Sequence, residues 1–437
     1  MSKNFTAVEK GTIMGIVSDL AREVTLPRMI RVHQHFDDSH ISTSSIPLVV
    51  REQLSKPEIS HAIRPGMRIA VACGSRGIAN IDLILSTVVN FFKAREAIPF
   101  LFPAMGSHGG ATAKGQLEIL SSLGITEETM GCPILSSMDV CKIGCIPDGR
   151  PVFIDRHACE ADAIVIVGRI KPHTAFRGPY ESGLMKMMVI GMGKQHGAES
   201  CHKTGFAHMA RDLELFGREI LARAPILCGI GIVENALDQT RKITALTPEE
   251  ILSEEPKLLT EAKQAMPRIY FDPIDLLIVD QIGKNFSGDG MDPNITGNFC
   301  SPYASGGISA ERRIALDLSN ESHGCAVGVG TLDMISRRLY DKIDLEASYP
   351  NSITSRMVCQ VKIPMVLTND RETIQIALKT CIDGNPEYPR IVRIPNSLHL
   401  SEIEISEALL KEAQCNSMVT VLSQPYPFLF DQNGNLF

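Results

Sequence analysis

From residue 65 onward the chain repeats one pattern: a short apolar run, a loop of glycine and small polar residues, then a stretch with apolar positions at helical spacing. Met67-Arg-Ile-Ala-Val-Ala-Cys73 alternates and then becomes fully apolar, as a buried strand does, and Pro65-Gly66 sets the turn before it. Gly74-Ser-Arg76-Gly is the loop that follows, and residues 82–94 are a helix with Leu83, Val88, Phe91 and Phe92 on one face. The next unit repeats this order: strand 97–102, loop Gly106-Ser-His108-Gly-Gly110, helix 112–123. Residues 48–54 form an earlier helix ahead of Pro57, and Ala163-Ile-Val-Ile-Val-Gly168 is a third strand. Consecutive strand–loop–helix units predict a parallel sheet, and ligands of such sheets sit at the carboxyl ends of the strands.

Residues 203–224 read as a helix, and 247–267 as a charged one opened by Thr247-Pro-Glu-Glu. A second set of elements follows a boundary near Ile269. Strands are expected at 275–282, 326–330, 363–368 and 390–394, with helices at 332–343 and 371–381. After Ser401 come a helix and a strand at 418–422. The predicted fold is α/β with two domains, each a mostly parallel sheet flanked by helices, and the active site in the cleft between them. Residues 1–268 are the N-terminal domain, 269–400 the C-terminal domain, and 401–437 a tail returning to the first.

At 437 residues the chain exceeds one ordinary core. A net charge of −7 and the lack of tryptophan disfavour a nucleic-acid partner. Met1-Ser-Lys-Asn-Phe5 carries no leader pattern, and no apolar run reaches membrane-spanning length, so the expected place is the cytoplasm, without membrane attachment. The 12 cysteines have no framework spacing and are expected as free thiols. Cys132, Cys141 and Cys145 fit no common zinc or iron–sulfur pattern. Gly288-Asp-Gly-Met-Asp292-Pro-Asn294 lacks the terminal glutamate of a calcium loop, and Gly106-x-x-Gly109-Gly110 fits neither a P-loop nor a dinucleotide fold.

Chemistry concentrates between Arg169 and His202, directly after the third strand. His108 and His173 are candidate acid–base groups, His173 aimed by the rigid Lys171-Pro172 before it. Each is also compatible with a loop or core histidine. Lys186, in the apolar Gly183-Leu-Met-Lys-Met-Met, is either an amine of lowered pKa and raised nucleophilicity or a lysine reaching out to water. His202, near a helix start expected at Ser200, is a candidate metal ligand, with His196, His208 and Cys201 as competitors. Arg76 and Arg177 offer donor forks for a substrate carboxylate or phosphate, or surface ion pairs.

Two stretches resemble the nickel-pincer lactate racemases and their hydroxyacid racemase and epimerase homologues: Gly106-Ser107-His108, and the run from Lys171-Pro-His173 through Lys186 to His202. The resemblance spans about residues 60–400. It implies a nickel-pincer nucleotide (nickel pyridinium-3,5-bisthiocarboxylic acid mononucleotide) joined through a thioamide to Lys186, with His202 on the metal. It further implies His108 and His173 as paired acid–base residues, Arg76 holding substrate or cofactor, Ser75 touching the cofactor, and maturation enzymes as partners. The chain departs from the family in a longer interval between His173 and Lys186. The stretch Met291–Cys300 also lacks the glutamine and lysine with which family members meet the hydroxyacid. The expected activity is inversion at C2 of a 2-hydroxyacid larger or more polar than lactate, with imidazole pKa values near 7. The rival readings are a hydro-lyase or hydrolase with a plain divalent metal at His173 and His202, and a non-catalytic binder of anionic metabolites.

Overall fold

The computed structural model describes residues 15–437 and arranges the apolar runs in two large sheets and one hairpin. The stretch Met1–Phe5 lies outside the described residues. In chain order come β1 (Met29–Gln34), β2 (Arg68–Cys73), β3 (Ile98–Pro103), the paired β4 (Val140–Cys145) and β5 (Pro151–Asp155), β6 (Ala163–Arg169), β7 (Ile226–Glu234) and β8 (Thr240–Leu246). A five-stranded sheet has the order β3-β2-β6-β7-β8, parallel except for β8.

Alternation along β2 divides the core around this sheet. Ile69, Val71 and Cys73 face the helices Ile46–Leu54 and Ile81–Lys93. Ala70 and Ala72 face the other side, where small side chains let the segment 184–202 and the helices Met209–Arg223 and Pro248–Ala265 pack close. Each large apolar side chain buried this way contributes roughly 1.5–3 kcal/mol. The expected helix at 247–267 forms with a complete capping box, Thr247 and Glu250 bonding each other's backbone N–H.

β9 (Ile274–Ile282), β10 (Ala310–Leu318), β11 (Met334–Ser336), β12 (Met365–Leu367), β13 (Ile391–Ile394), β14 (Glu402–Ser406) and β15 (Val419–Val421) join β1 in an eight-stranded sheet. Its order is β12-β11-β10-β9-β13-β14-β1-β15; the first five strands are parallel and the last three antiparallel. β1 lies between two strands of the tail, with Val32 opposite both Ile403 and Val421. The fold is mixed α/β, with mostly parallel sheets flanked by helices. Among the described residues no helix is long and apolar enough to cross a membrane, and the 12 cysteines are free.

Several elements differ from the sequence reading. Residues 326–330 turn rather than extend: Gly328 takes φ +99°, and an added Cβ would strike the Asp289 carbonyl. The strand beside β9 is β10, whose apolar period is interrupted by Arg312 and Arg313. These two turn their guanidinium groups onto backbone carbonyls, Arg312 to Thr380 at 2.6 Å and Arg313 to Thr296 at 2.5 Å. Residues 332–343 hold β11 before the short helix Arg337–Asp341, and the tail begins with β14, not a helix.

Candidate active site

β2 lies between β3 and β6, so the loops after these three strands emerge together. Ser75 and Arg76 follow β2, and His108 follows β3. Ser75 Oγ lies 2.5 Å from His108 Nδ1. Gln116, fully buried on the helix Ala113–Ser122, donates its side-chain amide to the carbonyls of Gly106 at 3.0 Å and His108 at 3.3 Å. It accepts from Lys194 at 3.0 Å. Lys194 is also fully buried; it donates to the Pro103 carbonyl and lies 3.2 Å from the Asp155 carboxylate. Two hydrogen-bond acceptors and a carboxylate in ion-pair contact surround the Lys194 ammonium. Burial pushes Lys194 down and Asp155 up, and each partner opposes that shift in the other.

β6 feeds a loop closed by two backbone bonds between Lys171 and Ser182. Glu181, buried inside it, accepts the His173 N–H at 2.7 Å and pairs with Arg177 at 3.3 Å and Lys263 at 2.7 Å. His173 Nδ1 accepts the Ala175 N–H at 3.0 Å, and its Nε2 lies 2.9 Å from Lys186 Nζ. The Arg177 guanidinium is engaged by protein: it donates to the His173 carbonyl at 2.6 Å, the Ser305 carbonyl at 2.8 Å and Asn294 Oδ1 at 2.5 Å. It ties the loop after β6 to the segment after β9.

Lys186 lies at the start of a helical stretch that becomes π-helical over Met187–Gly191 and resumes at Lys194–His202. Such π turns recur at functional sites. Glu255, reaching in from the helix Pro248–Ala265, accepts the Met185 N–H at 3.1 Å. Glycine at position 183 leaves room for this carboxylate, since an added Cβ would lie 2.1 Å from Glu255 Oε1 and displace it. Burial raises the Glu255 carboxyl to about 8. His202 stands at the end of a helix, not near its beginning as the sequence suggested. Arg150 reaches the carbonyls of Ser200 and Cys201 at 3.4 Å and is paired with buried Asp212 at 2.7 Å, which terminates the helix there. His202 Nδ1 lies 2.7 Å from the Ala198 carbonyl and therefore carries the proton, leaving the Nε2 lone pair free.

Lys284 and Asp289, on the loop after β9, complete the electrostatics. Burial first, then Arg76, Lys186 and Lys284, lower His108 to about 3. The residue as a whole is nonetheless exposed to solvent. His173 is held well below the usual imidazole value by burial, with Lys186 next. Lys186 is lowered to about 8 by burial and by Arg76 and Lys171, against Asp289. These imidazoles lie lower than the expected value near 7 because of burial first and the surrounding cations second; a bound anion would offset the second cause. Lys171 is engaged by Asp292 at 3.7 Å. The side chains of Arg76 and Lys284 make no hydrogen bond or ion pair among the described residues, which leaves both able to take an anion.

Lys284 was missed in the sequence because the cation was sought in Met291–Cys300. Its signal is position: with Gln281 it brackets the carboxyl end of a parallel strand. Gln116, Lys194, Glu181 and Glu255 were given no role in the sequence; Gln116 and Glu181 bond the backbone of His108 and His173, while Lys194 holds the Pro103 carbonyl and Glu255 the Met185 N–H.

Among the described residues no group of three or more His, Cys, Asp or Glu is placed to hold a metal ion. A free imidazole nitrogen at His202 and a buried amine at Lys186 are groups able to meet a metal and to carry a cofactor.

Residues 19–213 match the lactate racemase N-terminal domain family. Among solved structures the chain is similar to the lactate racemase apoprotein from Thermoanaerobacterium thermosaccharolyticum, with 14% identity over 85% of this chain and 98% of that one, TM-score 0.47. It is also similar to a protein from Thermotoga maritima, with 13% identity over 64% of this chain and 72% of that one, TM-score 0.46. The comparison with curated proteins gave no match.

Proposed function

We propose that this chain, whose residues 19–213 match the lactate racemase N-terminal domain family, is an isomerase that inverts C2 of a 2-hydroxyacid. That match supports a racemase or epimerase type of function. The observation that carries the reading is the joint placement of His108, the His173–Lys186 pair and His202 beside two uncommitted cations, Arg76 and Lys284. The division near residue 268 belongs to the same proposal: substrate binds where the loops after β2, β3 and β6 meet the loop after β9.

In this reading Lys186 would carry the nickel-pincer nucleotide, Ser75 and Arg76 would touch it, and His202 Nε2 would ligate its metal. When bound, the group supplies an acceptor for the hydrogen on C2, which direct deprotonation removes only with difficulty. The residues do the rest. Arg76 and Lys284 grip the carboxylate, and its charge offsets the field that depresses the imidazoles. One imidazole, neutral at the outset, takes the hydroxyl proton; the other delivers a proton when the carbon is reset with the opposite hand. Arg177 positions His173 rather than meeting substrate.

Asp289 supports a substrate more polar than lactate. Its carboxylate faces Lys186, Lys284 and Thr174 and accepts from Gln360 at 3.0 Å. It could accept a further substrate hydroxyl. Asn294 and Asn298 are engaged, with Arg177 and with the Thr331 carbonyl. Intact-mass analysis of protein produced with cofactor-maturation enzymes tests the reading. Added mass on Lys186 with one nickel per chain is expected; active protein with unmodified Lys186 would contradict it.

A further inference from the structure

The hydrogen bonds around His173 fix the state of its neighbour. A neutral imidazole carries one ring proton. Nδ1 accepts the Ala175 N–H, so the proton sits on Nε2, which faces Lys186 Nζ at 2.9 Å. An ammonium has no lone pair to receive that proton; only a free amine does. Protonating Nδ1 instead would turn it against the Ala175 N–H. The geometry thus favours the uncharged form of Lys186, beside Arg76 and Lys284, two cations whose side chains make no hydrogen bond or ion pair among the described residues.

We propose that Lys186, when it is not joined to a cofactor, condenses reversibly with the carbonyl of a 2-oxo acid whose carboxylate is held by Arg76 and Lys284. The amine lone pair attacks the carbonyl carbon and the C=O pair moves to oxygen. The nitrogen loses one proton to that oxygen, giving a carbinolamine. The oxygen then leaves as water with its bonding pair while nitrogen closes the C=N bond, losing its second proton to complete the water. Amine and oxo acid become imine and water, with no oxidant or reductant consumed. His173 Nε2–H is placed to hold the oxygen as it develops charge. The same chemistry makes a 2-oxo acid a competitor of cofactor attachment, because both need the same nitrogen.

The test uses full-length protein made without maturation enzymes, incubated with pyruvate and cyanoborohydride and mapped by peptide mass spectrometry. It does not depend on the isomerase reading, which could fail while the adduct forms. Lys186 should be labelled about tenfold or more faster than any other lysine near neutral pH, since ordinary lysines titrate near 10.4. The labelling rate should be half-maximal at about 8. Lys186→Arg should abolish the fast label. Arg76→Gln should slow labelling by pyruvate severalfold but not labelling by uncharged propanal. Label spread over other lysines with Lys186 unmodified in the wild-type protein would overturn the proposal, even if a variant fails to fold. Equal slowing of both carbonyl compounds by Arg76→Gln would overturn the carboxylate grip.

Discussion

His202 gives its Nδ1 proton to the carbonyl of Ala198, 2.7 Å away and one helical turn back, so Nε2 is the ring nitrogen left with a lone pair. If that nitrogen ligates nickel, His202→Ala should lose metal without losing the fold. The expected result is nickel per chain reduced at least tenfold after desalting, with the added mass on Lys186 retained. Stability should change by about 1 kcal/mol or less, the ring being only half buried. Metal analysis beside intact mass checks both halves.

Lys194 and Asp155 are fully buried, 3.2 Å apart, beneath the His108 loop. Removing one partner leaves a buried charge uncompensated, which typically costs about 3–5 kcal/mol. Lys194→Met should lower the urea midpoint accordingly. The double variant Lys194→Met/Asp155→Leu should recover much of that loss, because an apolar pair of similar volume carries no desolvation penalty.

Glu255 couples the Lys186 segment to pH. Its carboxyl is raised in the folded state from 4.5 to about 8, so the folded protein binds this proton more tightly than the unfolded chain does. The associated stability is complete below 4.5 and is lost as pH rises through about 8. Glu255→Gln should flatten that decline. Urea midpoints across the window check it; an unchanged slope would assign the decline to other groups.

His108 stays neutral down to about 3 in the free protein. The acid limb of kcat/KM should therefore lie below the ordinary imidazole value of 6.5, not at it. A pH profile on matured enzyme checks this.

The parts of the fold legible in the sequence were those whose stabilising contacts are local or periodic. β2, β3 and β6 are apolar runs ending in glycine-rich loops, and they delivered Ser75, His108 and His173 to one edge of a sheet. β1 was not read: its six residues depend on partners in the tail, with Ile30 opposite Ile405. β10 was hidden by two arginines that satisfy carbonyls instead of water. The Lys194–Gln116 contact spans 78 residues, so no spacing rule could find it. Buried polar networks are specified by tertiary packing, and the sequence shows only their unconnected members.

The most direct measurement of the central claim is optical rotation. A panel of enantiopure 2-hydroxyacids is incubated with protein shown to carry both nickel and added mass on Lys186. For at least one acid the rotation should decay to zero, or to the value of an epimer mixture, and stay fixed with Lys186→Arg. Constant rotation for every acid in the panel with matured wild-type protein would contradict the account.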